Sequence, residues 1–208
     1  MTHFTLSTIH TAHISSSVAR ADAAVFRLIN HGLASPLLDN VMLAASALGE
    51  DILQAGLGLL LILTGLLANR LYLRRAGYAG LVAFIFSGAV VQIAKHLWDR
   101  PRPLLVLHDV RLVGGPLFVH SFPSGHTCTA CAVMFAVSVY LGKLRYVLIP
   151  LAVLTGISRV YLGVHFPLDV IFGGLAGAFI GVWSARLVGP RSQNKPLEEE
   201  TEATVTAK

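Results

Sequence analysis

Two long stretches without a charged residue constrain the fold of this chain more than any other feature. Residues 52–69 and 76–94 contain no Asp, Glu, Lys or Arg. Each approaches the roughly 20 residues that a helix needs to cross the hydrocarbon core of a bilayer. The 208-residue chain is 54% hydrophobic and 13% charged, whereas a soluble domain is about 25% charged. These features predict an integral membrane protein and argue against a soluble helical domain.

Further apolar runs extend this pattern toward the carboxyl terminus. They occupy residues 127–142, 146–157 and 170–185, which brings the number of predicted spans to five. Residues 35–48 form a shorter run that contains Asp39, so this run is either a sixth span or a helix in the membrane interface. We therefore predict an all-α fold, a polytopic membrane helical bundle with five to six transmembrane helices, and we favour six.

The predicted domain organisation is simple. A single transmembrane domain spans residues 20–188, between a flexible N-terminal tail at residues 1–19 and a disordered cytoplasmic tail at residues 189–208. The first segment is rich in Ser, Thr and His and lacks the basic cluster and apolar core of a cleaved signal peptide. The last segment is polar and contains a run of three Glu residues, which is typical of a solvated end.

Basic loop residues predict the orientation in the membrane. Alternation of the spans places three basic groups on one side: Arg70, Arg74 and Arg75; Lys143 and Arg145; and Arg186, Arg191 and Lys195. The positive-inside rule makes that side cytoplasmic. Residues 95–126 and 158–169 then lie on the opposite side. The expected location is the inner (plasma) membrane, with this opposite face periplasmic or extracellular.

Charge and cysteine content exclude other readings of the chain. The net charge is +5, but these are loop charges of a membrane protein, so we expect membrane phospholipids as partners and no nucleic acid. Cys128 and Cys131 form a C-x-x-C pair inside an apolar run. Without a second pair, they are interpreted as small helix-packing residues rather than a redox or metal motif.

Polar residues concentrate at the ends of the apolar runs, on the predicted outer side. Each has an ordinary explanation, such as a snorkelling lysine or a helix cap. Ionisable groups at such depth are nevertheless costly and indicate function. Three separate hairpin ends bring complementary chemistry to one side, which favours a site. The polar residues on this side are Lys95, Arg100, Arg102, Ser124, His126, Ser158, Arg159, His165 and Asp169.

The cationic members predict a phosphate cradle. Lys95, Arg102 and Arg159 supply three positive charges, and the planar guanidinium of arginine suits phosphate oxygens. Residues 123–126 read Pro-Ser-Gly-His and open a helix, so free backbone N–H groups and the positive end of the helix dipole add an anion site. Gly125 allows an anion to approach the backbone closely.

The two histidines add reactive groups to this cradle. His165 precedes Pro167, which suits a first helical position and places Asp169 in the first turn, within reach of the imidazole. A carboxylate on one ring nitrogen fixes the tautomer and leaves the other nitrogen free to attack phosphorus. His126 is then expected to be the acid that protonates the departing oxygen.

These residues resemble a known family. Lys95-x6-Arg102-Pro103, Pro123-Ser124-Gly125-His126 and Ser158-Arg159-x5-His165-x3-Asp169 are similar to the three-part signature of the type 2 phosphatidic acid phosphatase superfamily. The motifs run from residue 95 to 169, and the layout of spans over about residues 35–188 resembles the membrane-bound branch. Two Arg-Pro pairs occur in the first motif. The six-residue gap selects Arg102 and leaves Arg100 as auxiliary or merely interfacial.

The resemblance implies specific roles for these residues. His165 would be the nucleophile that forms a phosphohistidine, Asp169 would orient it, and His126 would act as general acid and later activate water. The phosphoryl oxygens would be held by Lys95, Arg102, Ser124, Gly125 and Arg159. No metal ligands and no cofactor are implied, and the cationic cradle itself disfavours a divalent ion.

The resemblance also implies the substrate class. We expect a hydrolase that acts on a lipid phosphate or diphosphate, in phospholipid or cell-envelope metabolism. Undecaprenyl diphosphate is the preferred candidate, and phosphatidylglycerophosphate and phosphatidic acid are alternatives. A lipid phosphotransferase and a non-enzymatic lipid transporter also stay open. The sequence makes no prediction of oligomeric state.

Overall fold

The computed structural model describes residues 17–190, and within that range every regular element is helical. A short 3₁₀ turn at Gly142–Leu144 separates two of the helices. The α-helices are α1 (Ser17–Asn30), α2 (Pro36–Ala47), α3 (Asp51–Leu67), α4 (Leu71–Leu97), α5 (Pro103–Val106), α6 (Gly125–Leu141), α7 (Arg145–Tyr161) and α8 (Pro167–Val188).

Three stretches of the described chain are long and apolar enough to cross a membrane: Leu71–Leu97, Gly125–Tyr161 and Pro167–Val188. The second contains both α6 and α7, which pack against each other. A Cβ on Gly156, near the end of α7, would lie 3.0 Å from Thr127, near the start of α6. Helices α2 and α3 form a fourth candidate, bent by 56°. The predicted all-helical membrane bundle is confirmed, whereas the number of five to six spans stays a prediction.

Small residues bring α8 and α6 into close contact. Gly173, Gly177 and Gly181 recur every four residues on α8 and face the backbone of α6. A Cβ on Gly177 would overlap the carbonyl oxygen of Cys128, and a Cβ on Gly173 would lie 2.8 Å from the carbonyl oxygen of Ser124. In lipid, where helices gain little from burying apolar surface against each other, such small-residue stripes allow close van der Waals packing. The stripe therefore sets the start of α8 beside the start of α6.

The two cysteines belong to the same contact. Cys128 and Cys131 are buried, carry free thiols and lie against Gly177 of α8. Their position on the packed face of α6 accords with the interpretation as helix-packing residues.

Helix α1 packs across the end of the bundle at which α6 and α8 begin, which we call the site end. Phe26 of α1 lies 5.6 Å, centroid to centroid, from Phe166 just before α8. Asp22, Ala23, Phe26 and Asn30 form its buried face. The predicted boundary of the flexible tail at residue 19 falls inside α1, which begins at Ser17. The rest of that tail, residues 1–16, lies outside the described residues, as do residues 191–208 of the predicted cytoplasmic tail.

The long connection between α5 and α6 is pinned to the site end by side chains. Asn30 of α1 donates hydrogen bonds to the carbonyl oxygens of Arg111 and Tyr161, both at 2.7 Å. The guanidinium of Arg111 contacts both oxygens of Asp39 on α2, at 2.5 and 2.6 Å. The connection is thereby held against α1, α2 and the end of α7.

Candidate active site

All eight residues predicted from the sequence as site residues lie at the site end. Helix α4 contributes Lys95 in its last turn, α6 contributes Ser124, Gly125 and His126 at its start, and α7 contributes Arg159 in its last turn. Helix α8 contributes Asp169 in its first turn. Arg102 and His165 lie in the connections before α5 and α8. A hydrogen bond of 3.0 Å from the Ser124 amide to the Asp169 carbonyl joins the starts of α6 and α8.

His165 and Asp169 form a pair one helical turn apart. The distance from Nδ1 of His165 to Oδ2 of Asp169 is 3.5 Å, too long for a hydrogen bond. The other ring nitrogen, Nε2, lies 3.3 Å from Nη1 of Arg102. A guanidinium can only donate, so Nε2 is the acceptor and the ring proton resides on Nδ1. The proton thus faces the carboxylate, and the lone pair of Nε2 faces the cations.

The imidazole of His165 is a neutral base at physiological pH. Its side chain is 2% exposed. Burial lowers the pKa of His165 to about 4, with a smaller contribution from Arg102, although the Asp169 carboxylate opposes the shift. Transferring the charged imidazole out of water costs more free energy than its interaction with one neighbouring carboxylate recovers. A neutral imidazole keeps the lone pair that nucleophilic attack requires.

Asp169 is held by three donors besides its contact with His165. Its Oδ2 accepts a hydrogen bond of 2.5 Å from the Ser121 hydroxyl and one of 2.9 Å from the Phe166 amide. Its Oδ1 lies 2.6 Å from Nη1 of Arg100. The Phe166 bond is the reach-back contact of a helix capping box, which explains why a carboxylate three residues into α8 turns toward the residues that precede the helix.

Arg102 links the connection before α6 to the turn that carries His165. Its Nε donates to the Val119 carbonyl and its Nη1 to the Val164 carbonyl, both at 2.8 Å. Nη2 donates to the His120 carbonyl at 3.2 Å. Arg102 is 5% exposed. The guanidinium is thereby fixed beside the lone pair of His165 without a carboxylate partner, so its charge is available to an anion.

The other two cations complete a positive pocket. Arg159 is 8% exposed. Its Nη1 donates to the Ser46 hydroxyl at 2.5 Å, while its buried Nε has no hydrogen-bond partner. Lys95 is half-buried and interacts electrostatically with Arg102 and Arg159. Three cations without a paired carboxylate are costly to hold together, and a bound anion would relieve that cost.

The start of α6 presents further donors to this pocket. Thr127 donates a 2.9 Å hydrogen bond to the Ser124 hydroxyl oxygen, which leaves the Ser124 proton free to bond an anion. A Cβ on Gly125 would lie 3.9 Å from Nζ of Lys95, so the lysine ends directly over this glycine. His126 interacts electrostatically with Arg159, His165, Lys95 and Arg102. The turn between α2 and α3 packs against His126, since a Cβ on Gly49 in that turn would lie 2.8 Å from the Cβ of His126.

Four further polar residues contact these groups and were not predicted as site residues. Arg100 and Ser121 hold Asp169, Ser46 holds Arg159, and Asp22 of α1 pairs with Arg100 at 2.6 Å. Arg100 had been singled out by its Arg-Pro pair but left without a role. Ser121 stands two residues before the Pro-Ser-Gly-His motif, whereas nothing in the local sequence distinguishes Asp22 or Ser46.

A cavity of about 400 Å³ lies between α1 and the start of α8. It is lined mainly by apolar side chains, among them Trp98, Phe122, Phe166 and Phe172, and Arg100 forms part of its wall. Within residues 17–190, no three His, Cys, Asp or Glu side chains form a group that could hold a metal ion. Metal independence itself stays a prediction.

Comparison with known proteins identifies the family. The sequence profile of the PAP2 superfamily matches residues 77–193. An undecaprenyl-diphosphatase of Sulfolobus acidocaldarius is 28% identical over 164 residues, which cover 78% of this chain and 76% of that protein. A lipid A 1-phosphatase of Rhizobium johnstonii is 32% identical over 123 residues, which cover 57% of this chain and 50% of that protein. The match thus spans only half of the Rhizobium protein.

A solved structure has the same fold. The transmembrane PAP2-type phosphatidylglycerolphosphate phosphatase of Bacillus subtilis superimposes with a TM-score of 0.68 at 28% identity, over 86% of this chain and 90% of that chain. The fold and site thus define a helical membrane phosphatase. The chain belongs to the PAP2 superfamily, and the family predicted from the three motifs is confirmed.

Proposed function

We propose that this PAP2 lipid phosphatase hydrolyses a lipid diphosphate or monophosphate through a phosphohistidine on His165, with undecaprenyl diphosphate as the preferred substrate. The observation that carries the mechanism is the orientation of the His165 ring. Nε2 lies 3.3 Å from Arg102 in the cationic pocket, and the protonated Nδ1 faces Asp169. The ring therefore has the carboxylate near one nitrogen and the cationic pocket near the other.

The reaction follows from these positions. The phosphoryl group binds between Lys95, Arg102 and Arg159, with Ser124 and the amides that begin α6 donating to its oxygens. Nε2 of His165 attacks phosphorus while the bond to the lipid oxygen breaks, and His126 gives that oxygen a proton. The cations stabilise the negative charge that spreads over the equatorial oxygens.

The second half of the cycle regenerates the enzyme. Water attacks the phosphohistidine, His126 accepts a proton from that water, and the bond between phosphorus and Nε2 breaks to release inorganic phosphate. Asp169 stabilises the positive imidazole ring of the intermediate through Nδ1–H. No step draws on a metal ion or a cofactor.

The positions of the basic residues support an outer location for the site. Lys95 ends the 27-residue helix α4, whose first turns carry Arg74 and Arg75. At 1.5 Å per residue, roughly 30 Å of helix separates these arginines from Lys95. Lys143 lies likewise at the end of α6 opposite to Ser124. By the positive-inside rule, we place the site at the periplasmic or extracellular face of the inner (plasma) membrane.

The preference for undecaprenyl diphosphate rests on similarity to relatives that carry this name, such as the Sulfolobus protein. The other named activities make phosphatidylglycerophosphate and lipid A competing candidates, and phosphatidic acid is a further one. A substrate panel in detergent decides among them by phosphate release from each lipid, and we expect the highest kcat/KM for undecaprenyl diphosphate. A higher value for another lipid would replace the substrate and leave the mechanism in place.

The mechanism is tested with His165→Ala and the control His108→Ala, which replaces an exposed loop histidine. We expect His165→Ala to lower phosphate release by a factor on the order of 10³ or more and to abolish labelling of the protein when the reaction is quenched, while His108→Ala behaves as wild type. Phosphate release retained by His165→Ala would contradict the assignment. Label that passes to a second lipid without phosphate release would indicate a phosphotransferase. Lipid movement without phosphate release would indicate a transporter.

A further inference from the structure

Two buried carboxylates and one partly buried guanidinium form a chain that ends at Asp169, the partner of the candidate nucleophile. Nη1 of Arg100 lies 2.6 Å from Oδ1 of Asp169, and Nη2 lies 2.6 Å from Oδ2 of Asp22 on α1. The side chains of Asp22 and Asp169 are 2% and 0% exposed, and that of Arg100 is 20% exposed. Breaking an ion pair of this kind leaves a buried charge without its partner, which is strongly unfavourable.

Each member of the chain is also fixed from a second direction. The guanidinium of Arg100 lies over the ring of Phe166, 4.5 Å from its centroid. The other oxygen of Asp22 accepts a 3.0 Å hydrogen bond from the amide of Leu168 in the first turn of α8. The planar fork of arginine allows it to donate to both carboxylates at once. Helix α1 is thereby joined to the turn that carries the reactive pair.

The contact with Arg100 selects which oxygen of Asp169 faces His165. Oδ1 is occupied by Arg100, while Oδ2 accepts from Ser121 and Phe166 and lies 3.5 Å from Nδ1 of His165. Without Arg100, Oδ1 would lose its only donor among the described residues, and the carboxylate would be held through Oδ2 alone, which leaves its terminal torsion less restricted. The terminal torsion of aspartate is intrinsically broad, so each contact on the carboxylate narrows it. The position of Oδ2 of Asp169 relative to Nδ1 of His165 would then be less well defined.

We propose that Asp22 and Arg100 are positioning residues, which act through Asp169 at Nδ1, together with Arg102 at Nε2, to fix the orientation and the Nδ1–H tautomer of His165. The proposal rests on the proposed function for the reaction that it serves, but the tautomer is a property of the resting protein. The polar contacts of both residues are with each other, with Oδ1 of Asp169 and with the Leu168 amide, rather than with the cations of the phosphoryl pocket. In metal sites, the outer partners that orient a ligand imidazole are commonly worth about 10- to 100-fold in affinity or activity, and we expect the same scale for the oriented imidazole of His165.

Arg100→Lys and Asp22→Asn test the proposal. A lysine keeps the positive charge but lacks the fork that joins both carboxylates, and an asparagine keeps the shape of Asp22 but lacks its charge. The matched controls are Arg27→Lys and Asp109→Asn, which make the same changes in an ion pair of 2.9 Å that also involves α1 but is exposed. Exposed pairs of this kind contribute little to stability.

Two readouts are required. The first is kcat and KM for a lipid phosphate substrate, together with inhibition by inorganic phosphate. We expect Arg100→Lys and Asp22→Asn to lower kcat by about 10- to 100-fold and to leave KM and phosphate inhibition within about twofold, because the cradle is untouched. The second is the ¹⁵N chemical shift of His165, assigned by its disappearance in His165→Ala. We expect a protonated Nδ1 in wild type and in the controls. In the two variants we expect a larger fraction of the Nε2–H tautomer, because only the Arg102 contact still favours a proton on Nδ1.

The outcomes separate this proposal from the proposed function. Wild-type kcat and an unchanged His165 tautomer in both variants would overturn it. So would KM and phosphate inhibition that change as much as kcat, or equal losses in the controls, because either result indicates a general structural role. If wild-type protein releases no phosphate from any lipid, the proposed function fails, and the nitrogen shifts alone still decide whether Asp22 and Arg100 position the ring.

Discussion

Acid should destabilise the folded protein through His165, and His165→Gln should remove this part of the effect. Burial lowers the pKa of His165 from 6.5 to about 4. As the pH falls from 6.5 toward 4, the unfolded chain takes up a proton at this position and the folded protein does not. A folded-state pKa below the unfolded value gives stability that is complete above pH 6.5 and is lost on acidification.

The magnitude follows from the size of the shift. One pKa unit corresponds to about 1.4 kcal/mol, so acidification from about pH 7.5 to about pH 4.5 should cost wild type roughly 2–3 kcal/mol more than the variant. For a chain of this length, that difference corresponds to a fall in apparent Tm of roughly 5–10 °C. Glutamine is chosen because its amide keeps an acceptor for Arg102 without a titrating group.

Thermal unfolding in detergent, followed by the fluorescence of Trp98 and Trp183, measures this difference. Other titrating groups contribute to both proteins and cancel in the comparison. His108→Gln replaces an exposed histidine and should keep the wild-type dependence on pH. Equal loss of Tm in wild type and His165→Gln between these pH values would refute the claim that the buried ring stays neutral.

Three further outcomes are expected. Gly177→Ala should lower the Tm because its Cβ would overlap the carbonyl oxygen of Cys128, whereas Gly56→Ala, with nothing within 4 Å, should leave it unchanged or raise it; equal Tm values would contradict the close packing of α8 on α6. Arg159→Lys should lower kcat/KM by roughly 10- to 100-fold in phosphate-release assays, because lysine cannot both bond Ser46 and clamp a phosphoryl group; unchanged kinetics would remove Arg159 from the cradle. Activity should survive EDTA, and a loss that added magnesium restores would count against the metal-independent mechanism.

Much of the helical fold follows from apolar patterning, because a chain in lipid must satisfy its backbone hydrogen bonds internally. The apolar run at 76–94 lies within α4, and the run at 170–185 lies within α8. Helix α1 was not predicted because its 14 residues include Arg20, Asp22 and Arg27. Its burial depends on packing against Phe166 rather than on its own hydrophobicity. The bend between α2 and α3 likewise depends on what Gly49 packs against.

The site shows the same division between local and distant causes. His165, Pro167 and Asp169 are neighbours in sequence, so helical geometry alone places the carboxylate near the ring. The contact of Arg159 with Ser46 joins residues 113 positions apart, and that of Arg100 with Asp22 joins residues 78 positions apart. Such pairs are set by the arrangement of whole helices. Arg100 could be recognised in the sequence as unusual, but its partner became visible only through the fold.

The glycine stripe of α8 also affects how the molecule matures in the membrane. The reactive ring stands just before this helix, and the groups that would hold the phosphoryl moiety stand on segments that are synthesised earlier. A nascent chain that still lacks α8 contains His165 but not Asp169, so on the proposed mechanism it has the cations that bind an anionic headgroup but not the carboxylate that orients the ring. The proposed mechanism therefore predicts that activity arises late, when α8 packs along α6 through its glycines.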